Sequence, residues 1–354
     1  MPLLHSLYPL VRPLLFRLDA ETAHEWTVKM LRAAHLFGWL PKFSVHPACA
    51  VNAMGLNFAH CLGLAAGMDK SASAVDAWMA LGFASVEVGT LTPRPQPGNP
   101  TPRLFRLPDH WAIINRMGFN NPGIHSAVHR LRRRSGTGII GVNIGKNFNT
   151  PNENAADDYR ICLRAAYEVA DYIVVNISSP NTKGLRDLQG EEAVRRLFSV
   201  LKEDQAVLAQ EYGKHVPLAV KIAPDLELAQ IEGMARVFSE LSVDAVIATN
   251  TTIARSHVEK HPVAREAGGL SGSPLRARSL EVLIAFRSLL SPSIPIIGVG
   301  GILNADHAAE KLVAGASLVQ IYSGMVYRGP ELVQEVAQIG TPGLHRKFAN
   351  PGYY

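Results

Sequence analysis

The run Tyr172-Ile173-Val174-Val175-Asn176-Ile177-Ser178-Ser179-Pro180-Asn181, continued by Thr182-Lys183-Gly184, decides how the rest of the chain is read. Its first half is apolar and β-branched, the signature of a buried strand. Its second half is spent on two further amides and hydroxyls and a proline. Taken alone, that ending is equally a turn, since Ser, Pro and Asn are ordinary turn residues, or a strand tip that has exchanged packing for chemistry. Recurrence elsewhere in the chain separates the two.

The pattern recurs. Residues 62–66 run into Gly67-Met68-Asp69-Lys70, and 84–88 into Gly89-Thr90. Residues 139–144 contain Asn143 and run into Gly145-Lys146-Asn147; 218–222 contain Lys221 and run into Ala223-Pro224-Asp225. Residues 245–248 end in Thr249-Asn250-Thr251, 294–299 in Gly300-Gly301, and 318–322 in Ser323-Gly324. With 173–177 this makes eight predicted strands, most of them separated by stretches of helical periodicity such as 191–211 and 226–241. Strands alternating with helices form a parallel sheet. Eight of them over roughly 250 residues suit a closed (β/α)8 TIM barrel. A doubly wound open sheet is the rival, but it gathers its ligand chemistry at one switch point. Here nearly every strand ends in polar residues or glycine, as a barrel site built from all the strand tips requires.

Composition is consistent with that scale. The chain has 354 residues, 47% hydrophobic and 18% charged, enough for a substantial core. A formal charge of +5 is mild for the size and gives no argument for nucleic acid. Cys49, Cys61 and Cys162 form no disulfide framework and no CxxC pair. No apolar run is long enough to span a membrane as a helix, and the N-terminus lacks the ordered regions of a signal peptide.

Residues 1–45 read differently from the rest. Leu3, Leu4, Leu7, Leu10, Val11, Leu14, Leu15 and Leu18 fall at three- and four-residue spacing, which gathers them on one helical face. Pro9 and Pro13 predict breaks in that helix. A second helix is expected over about 19–37, capped by Asp19 or Thr22 and stopped by Gly38 and Pro41. With Arg12, Arg17, Lys29, Arg32 and Lys42, the unit has basic edges. It could pack on the main domain or lie on a membrane surface. The long segment 91–121 mixes stiffening prolines with apolar residues and reads as ordered. Arg130, Arg132, Arg133 and Arg134 read as a solvated helix end.

The strand tips suggest a ligand. Gly300-Gly301, Tyr322-Ser323-Gly324 and Gly272 fit a barrel phosphate site, in which backbone N–H groups face an anion. Lys70 and Lys221 sit where the barrel opens, and a lysine there is costly without a negative partner. Asn115, Asn120, Asn143, Asn176, Asn181 and Asn250 present donor and acceptor together, suiting a planar heterocycle. Histidines are scattered and carboxylates scarce at the tips, so no metal constellation is expected, and no Ser-His-Asp order is evident. Ser and Lys remain as reactive candidates.

These motifs together resemble the dihydroorotate dehydrogenases. The resemblance lies in Val-Asn-Ile-Ser-Ser-Pro-Asn-Thr (175–182), Ala-Ala-Gly-Met-Asp-Lys (65–70), Glu-Val-Gly-Thr (87–90) and Asn-Arg-Met-Gly-Phe-Asn (115–120). It continues in Gly-Val-Asn-Ile-Gly-Lys-Asn (141–147), Lys-Ile-Ala-Pro-Asp (221–225), Thr-Asn-Thr-Thr (249–252), Gly-Gly-Leu-Ser-Gly (268–272) and Gly-Val-Gly-Gly-Ile (298–302). The motifs cover the barrel in order. Within that family, a serine at the base position and an N-terminal extension mark the class 2, membrane-associated and quinone-using enzymes; the soluble class has a cysteine there.

The resemblance implies an FMN oxidoreductase of pyrimidine (UMP) biosynthesis. It would oxidise dihydroorotate to orotate and pass electrons to a quinone. Ser179 is the implied base, on a loop that closes as a lid with Gly184 as its mobile point. Lys70, Asn115, Arg116, Met117, Gly118, Phe119, Asn176, Asn181, Asn250 and Thr251 are the implied substrate contacts. Ala66, Gly67, Met68, Asp69, Lys70, Thr90, Asn143, Asn176, Lys221, Thr249, Gly272, Gly301, Tyr322 and Ser323 are the implied FMN contacts. Residues 1–45 become a membrane-associating unit forming a quinone tunnel, with Arg106 and Tyr322 at its inner end. Residues 46–345 become the catalytic barrel. The expected location is the cell inner membrane, peripheral, on the cytoplasmic side.

Overall fold

The structure is a computed structural model that describes residues 3–40 and 43–341. In chain order the elements are α1 (Leu3–Leu15), α2 (Ala20–Leu36), β1 (Val51–Ala53), β2 (Leu56–Phe58), β3 (Leu62–Asp69), α3 (Val75–Ala80), β4 (Ser85–Leu91), β5 (Leu104–Leu107) and β6 (Ala112–Asn115). They continue as α4 (Ile124–Arg132), β7 (Ile139–Ile144), α5 (Ala155–Ala166), β8 (Tyr172–Asn176), α6 (Glu191–Tyr212), β9 (Leu218–Ile222), α7 (Leu228–Glu240) and β10 (Ala245–Ala248). The last are β11 (Gly269–Gly272), α8 (Arg276–Leu289), β12 (Ile296–Val299), α9 (Ala305–Val313), β13 (Leu318–Ile321), α10 (Ser323–Arg328) and α11 (Pro330–Ala337).

The eight predicted strands close into a parallel barrel in the order β3-β4-β7-β8-β9-β10-β12-β13. Helices cover the outside, so the strands are buried on both faces and read as continuous apolar runs. Side chains alternate along each strand. On β8, Ile173 and Val175 face the helices while Tyr172 and Val174 pack inside. The same parity turns Asn176 inward at the strand's upper end, with Lys221 as its register partner on β9. The β1–β2 hairpin closes the opposite end, where Ala53 and Phe58 pack on the interior layer.

Four expectations are corrected. Helix α1 runs unbroken through Pro9 and Pro13. Tertiary contacts outweigh the missing donors: the Tyr8 hydroxyl donates to the Val326 carbonyl at 2.5 Å, and Arg12 Nη1 to that of Tyr327 at 2.8 Å. The long segment 91–121 contains β5 and β6, which join β11 in a separate antiparallel sheet. The β1–β2 hairpin was not expected either, because each of its strands has only three residues. Finally, β3 extends to Asp69 and β4 to Leu91, so Gly67-Met68-Asp69 and Gly89-Thr90 lie within strands. The cap is as expected: Asp19 accepts N–H bonds from Glu21 and Thr22 at 3.0 Å each. Pro41, Lys42 and residues 342–345 of the expected barrel unit lie outside the described residues.

Helices α1 and α2 lie against the barrel wall. Helix α1 touches α10 and α11, and α2 touches α3 and β5. A half-buried ion pair fastens α2: Arg103 Nη2 meets Glu21 Oε1 at 2.7 Å. Among the described residues, no helix is long and apolar enough to cross a membrane.

Candidate active site

The C-terminal strand ends enclose a cavity with about 1020 Å³ of empty space, counting its mouth. Ala66, Gly67, Lys70, Thr90, Asn115, Met117, Gly118, Phe119, Asn176, Ser179, Asn181, Lys221, Thr249, Asn250, Thr251, Gly272, Gly301, Tyr322 and Ser323 line it. Every strand of the barrel except β7 supplies lining from within it or from the loop it leads into.

Four residues expected at the site do not line this cavity. Met68 turns outward to a second cavity. The Asp69 carboxylate accepts N–H bonds from Ser73 and Ala74, both at 2.8 Å, and so anchors the turn into α3. Arg116 pairs with Glu266 at 2.6 Å and lies 4.7 Å from the Phe105 ring centroid. Asn143 is fully buried beneath the cavity floor.

A polar network on inward-facing positions of four neighbouring strands and β13 runs from the floor lining down to Asn143. Asn143 Nδ2 donates to Glu87 Oε1 at 2.7 Å, and Asn143 Oδ1 accepts from the Thr90 hydroxyl at 2.5 Å. Asn176 Nδ2 donates to Thr90 Oγ1 at 2.9 Å. Gln320 Nε2 donates to Glu87 Oε2 at 2.6 Å, and Lys221 Nζ stands 3.6 Å from Glu87 Oε1. Glu87 has no solvent exposure, so this set of donors is what makes its burial tolerable. Glu87 and Gln320 were not expected at the site. Their signal was a charged and an amide side chain inside otherwise apolar runs.

The two serines of the Ser178-Ser179 pair have different fates. Ser178 is fully buried, donates to Asn176 Oδ1 at 2.9 Å and accepts from Asn250 Nδ2 at 3.0 Å. Ser179 lines the cavity, and its oxygen accepts the Asn181 N–H at 3.2 Å. Its own proton has no protein acceptor among the described residues. Asn181 Nδ2 in turn donates to Asn115 Oδ1 at 3.1 Å. Arg186, another residue not expected, ties down the following loop by donating to the carbonyls of Ser178 (3.0 Å) and Thr251 (2.8 Å) and to Asp225 (2.8 Å). Gly184 has φ +66° at the start of that turn.

Lys70 stands partly exposed at the wall. Burial pulls its ammonium down to about 8, with Glu21 opposing the shift and Arg103 adding to it. Gly272 (φ +94°), Gly300 (φ +117°) and Gly301 (φ +72°) line the cavity together with Tyr322, Ser323 and Gly324. A side chain on Gly272 would overlap the Trp111 carbonyl, and one on Gly301 would lie 2.8 Å from the Arg276 nitrogen. These backbones therefore approach the cavity bare.

A second, apolar cavity of about 650 Å³ lies between α1, α2 and the barrel. Leu15, Phe16, Ala20, Ala23, Met68 and Ile113 line it with Arg106, His24 and Tyr322. Tyr322 lines both cavities. Burial pulls the His24 imidazole down to about 3, so it is neutral at ordinary pH.

A closed eight-stranded barrel with a cavity lined by amides, hydroxyls, lysines and glycines at the C-terminal strand ends defines a (β/α)8-barrel enzyme. The sequence profile described as Dihydroorotate dehydrogenase matches residues 48–339, and the chain belongs to that family. It is 57% identical to the dihydroorotate dehydrogenase (quinone) of Chromobacterium violaceum, over 94% of this chain and 97% of that protein. It is 55% identical to the protein of that description from Flavobacterium lutescens, over 94% and 95%. The structure of DHODH in complex with ferulenol from Eimeria tenella superposes with a TM-score of 0.83 at 38% identity, covering 88% of this chain and 89% of that one.

Proposed function

We propose that this chain oxidises dihydroorotate to orotate with FMN as hydride acceptor and a quinone as final electron acceptor, in pyrimidine biosynthesis. The observation that carries the reading is one cavity holding Ser179, Lys70, the amides and the bare glycine cradle, with an apolar chamber on the other side of Tyr322, which lines both.

The residues fit FMN. The cradle of Gly272, Gly301 and Ser323 suits its phosphate, with Tyr322 beside it. The buried Gln320 Oε1 has no partner among the described residues, which suits an acceptor for a ligand N–H. Lys221, held by Glu87, would meet the pyrimidine end, while Ala66, Gly67, Thr90 and Thr249 would line the ring. FMN supplies the two-electron acceptor that no side chain can.

The chain's own residues do the rest. Asn115, Asn176, Asn181, Asn250 and Thr251 would grip the substrate ring, and the Met117–Phe119 segment would cover it. The Ser179 oxygen takes the proton from the ring carbon next to the one losing hydride. The loop held by Arg186, with Pro180 stiffening its start, would exclude water. Anaerobic dihydroorotate is expected to bleach the yellow purified protein; a protein without flavin absorbance, or one that dihydroorotate leaves yellow, would refute the reading.

Lys70 gives this function a pH signature. Its ammonium is charged below about 8 and neutral above, so a carboxylate partner is held only on the acid side. KM for dihydroorotate is expected to climb as pH rises through that value in steady-state assays, while Lys70→Arg pushes the climb to higher pH. A wild-type KM that is flat across the range would detach Lys70 from the carboxylate.

Residues 1–45 form the membrane-associating quinone unit in this reading, and residues 46–345 the catalytic barrel. Leu10, Leu14, Trp26, Met30, Leu36, Phe37 and Trp39 are exposed on the first unit. Such a face, flanked by Arg17, Lys29 and Arg32, suits the surface of an anionic bilayer. The location is then peripheral, on the cytoplasmic side of the cell inner membrane. The quinone head would reach Arg106 and Tyr322 from the apolar chamber.

A further inference from the structure

Lys311 has no part in the chemistry described so far, yet it is 1% exposed on α9. Its stem passes beneath β12, where a side chain on Gly298 would lie 3.1 Å from Lys311 Cδ. The absent side chain at Gly298 is what admits the lysine. An ammonium carries three donors, but among the described residues its one hydrogen bond goes to Ser279 Oγ, at 2.8 Å. No carboxylate stands within ion-pair distance of it among the described residues; Glu310, next to it in sequence, is paired with Arg276 at 2.8 Å. A buried cation facing only a hydroxyl is costly unless something anionic is close.

The hydroxyl leads to the glycine cradle. Ser279 Oγ lies 3.2 Å from the Gly300 carbonyl and 2.9 Å from that of Arg276. It packs so closely that a side chain on Gly300 would stand 2.8 Å from it. Arg276 begins α8, whose backbone abuts Gly301. The ammonium thus sits directly behind the loop whose front lines the cavity.

We infer that Lys311 is a positioning residue for the ligand's phosphate: a buried cation that, through Ser279, holds the Gly300-Gly301 turn and places a positive charge behind it. The inference rests on the FMN reading, because a dianionic phosphate in the cradle would supply the counter-charge. Burial pulls the ammonium down to about 8, and a phosphate in front of it would favour the charged form.

The test separates phosphate recognition from structural support. The full-length chain, stripped of flavin, is titrated with FMN and with riboflavin, and binding is read from quenching of flavin fluorescence. Lys311→Met is expected to weaken FMN roughly tenfold or more, the loss of one poorly screened charge interaction, and to leave riboflavin within about twofold. Should Lys311→Met fail to fold, Ser279→Ala, which keeps the lysine but cuts its link to Gly300, is expected to show the same selectivity in smaller degree. Equal weakening of FMN and riboflavin in the variant that folds, or unchanged FMN affinity, would overturn the inference. A wild-type chain that binds neither flavin would instead remove the FMN reading, and this inference with it.

Discussion

Ser179→Ala is expected to yield a yellow, folded protein that dihydroorotate reduces about 10²–10⁴-fold more slowly than wild type, the usual worth of a positioned general base. The geometry makes the loss specific. Ser179 lines the cavity and receives the Asn181 N–H on its oxygen. Its hydroxyl proton is therefore free to leave by relay as the oxygen takes the substrate's. Ser178 cannot substitute, because it is fully buried and engaged on both sides by Asn176 and Asn250. Ser178→Ala should therefore disturb the floor without abolishing the proton step. Anaerobic stopped-flow absorbance measures the first half-reaction alone, so a slow quinone step cannot mask the result. Wild-type-like bleaching in Ser179→Ala would assign the base elsewhere.

Most of the fold was legible because a barrel strand is buried on both faces and therefore apolar throughout. Against that background a polar residue is conspicuous. Asn143, Asn176 and Lys221 were each visible as interruptions of an apolar run. Strand parity then separates inward from outward positions, which is why Glu87 and Gln320 join the same interior set. What the chain does not advertise is depth. Asn143 and Asn176 share parity on adjacent strands, yet the first lies under the floor and the second lines the cavity. Depth depends on strand stagger, which no local pattern encodes. Arg116 shows a different gap: its motif neighbours line the cavity, while its guanidinium finds Glu266 and Phe105 outside. The place of β11 in the β5–β6–β11 sheet stayed hidden because its pairing with β6 joins segments about 150 residues apart, such as Ile114 with Leu270. The unbroken α1 fails a local rule for the same reason, since Val326 and Tyr327 hold it from the far end of the chain.

Removing residues 1–45 is expected to divide the two half-reactions. The cavity that holds Ser179 is built from the barrel and its loops, and none of its lining residues precedes Ala65. Bleaching by dihydroorotate should accordingly persist. The apolar chamber is built differently: Tyr8, Leu15, Phe16, Ala20, Ala23, His24 and Thr27 form one whole side of it. Without them Tyr322 and Met68 face water, and an apolar tail gains nothing by docking. Burying an isoprenoid tail is worth about 25 cal/mol per Å² of apolar surface, so losing even 60 Å² or so of contact costs about tenfold in affinity. Turnover with long-tailed quinones should thus fall by roughly ten- to a hundredfold, while tailless quinones, which gain little from the chamber, should lose far less. Equal turnover with long-tailed and tailless quinones, before and after truncation, would show that the quinone enters by another route.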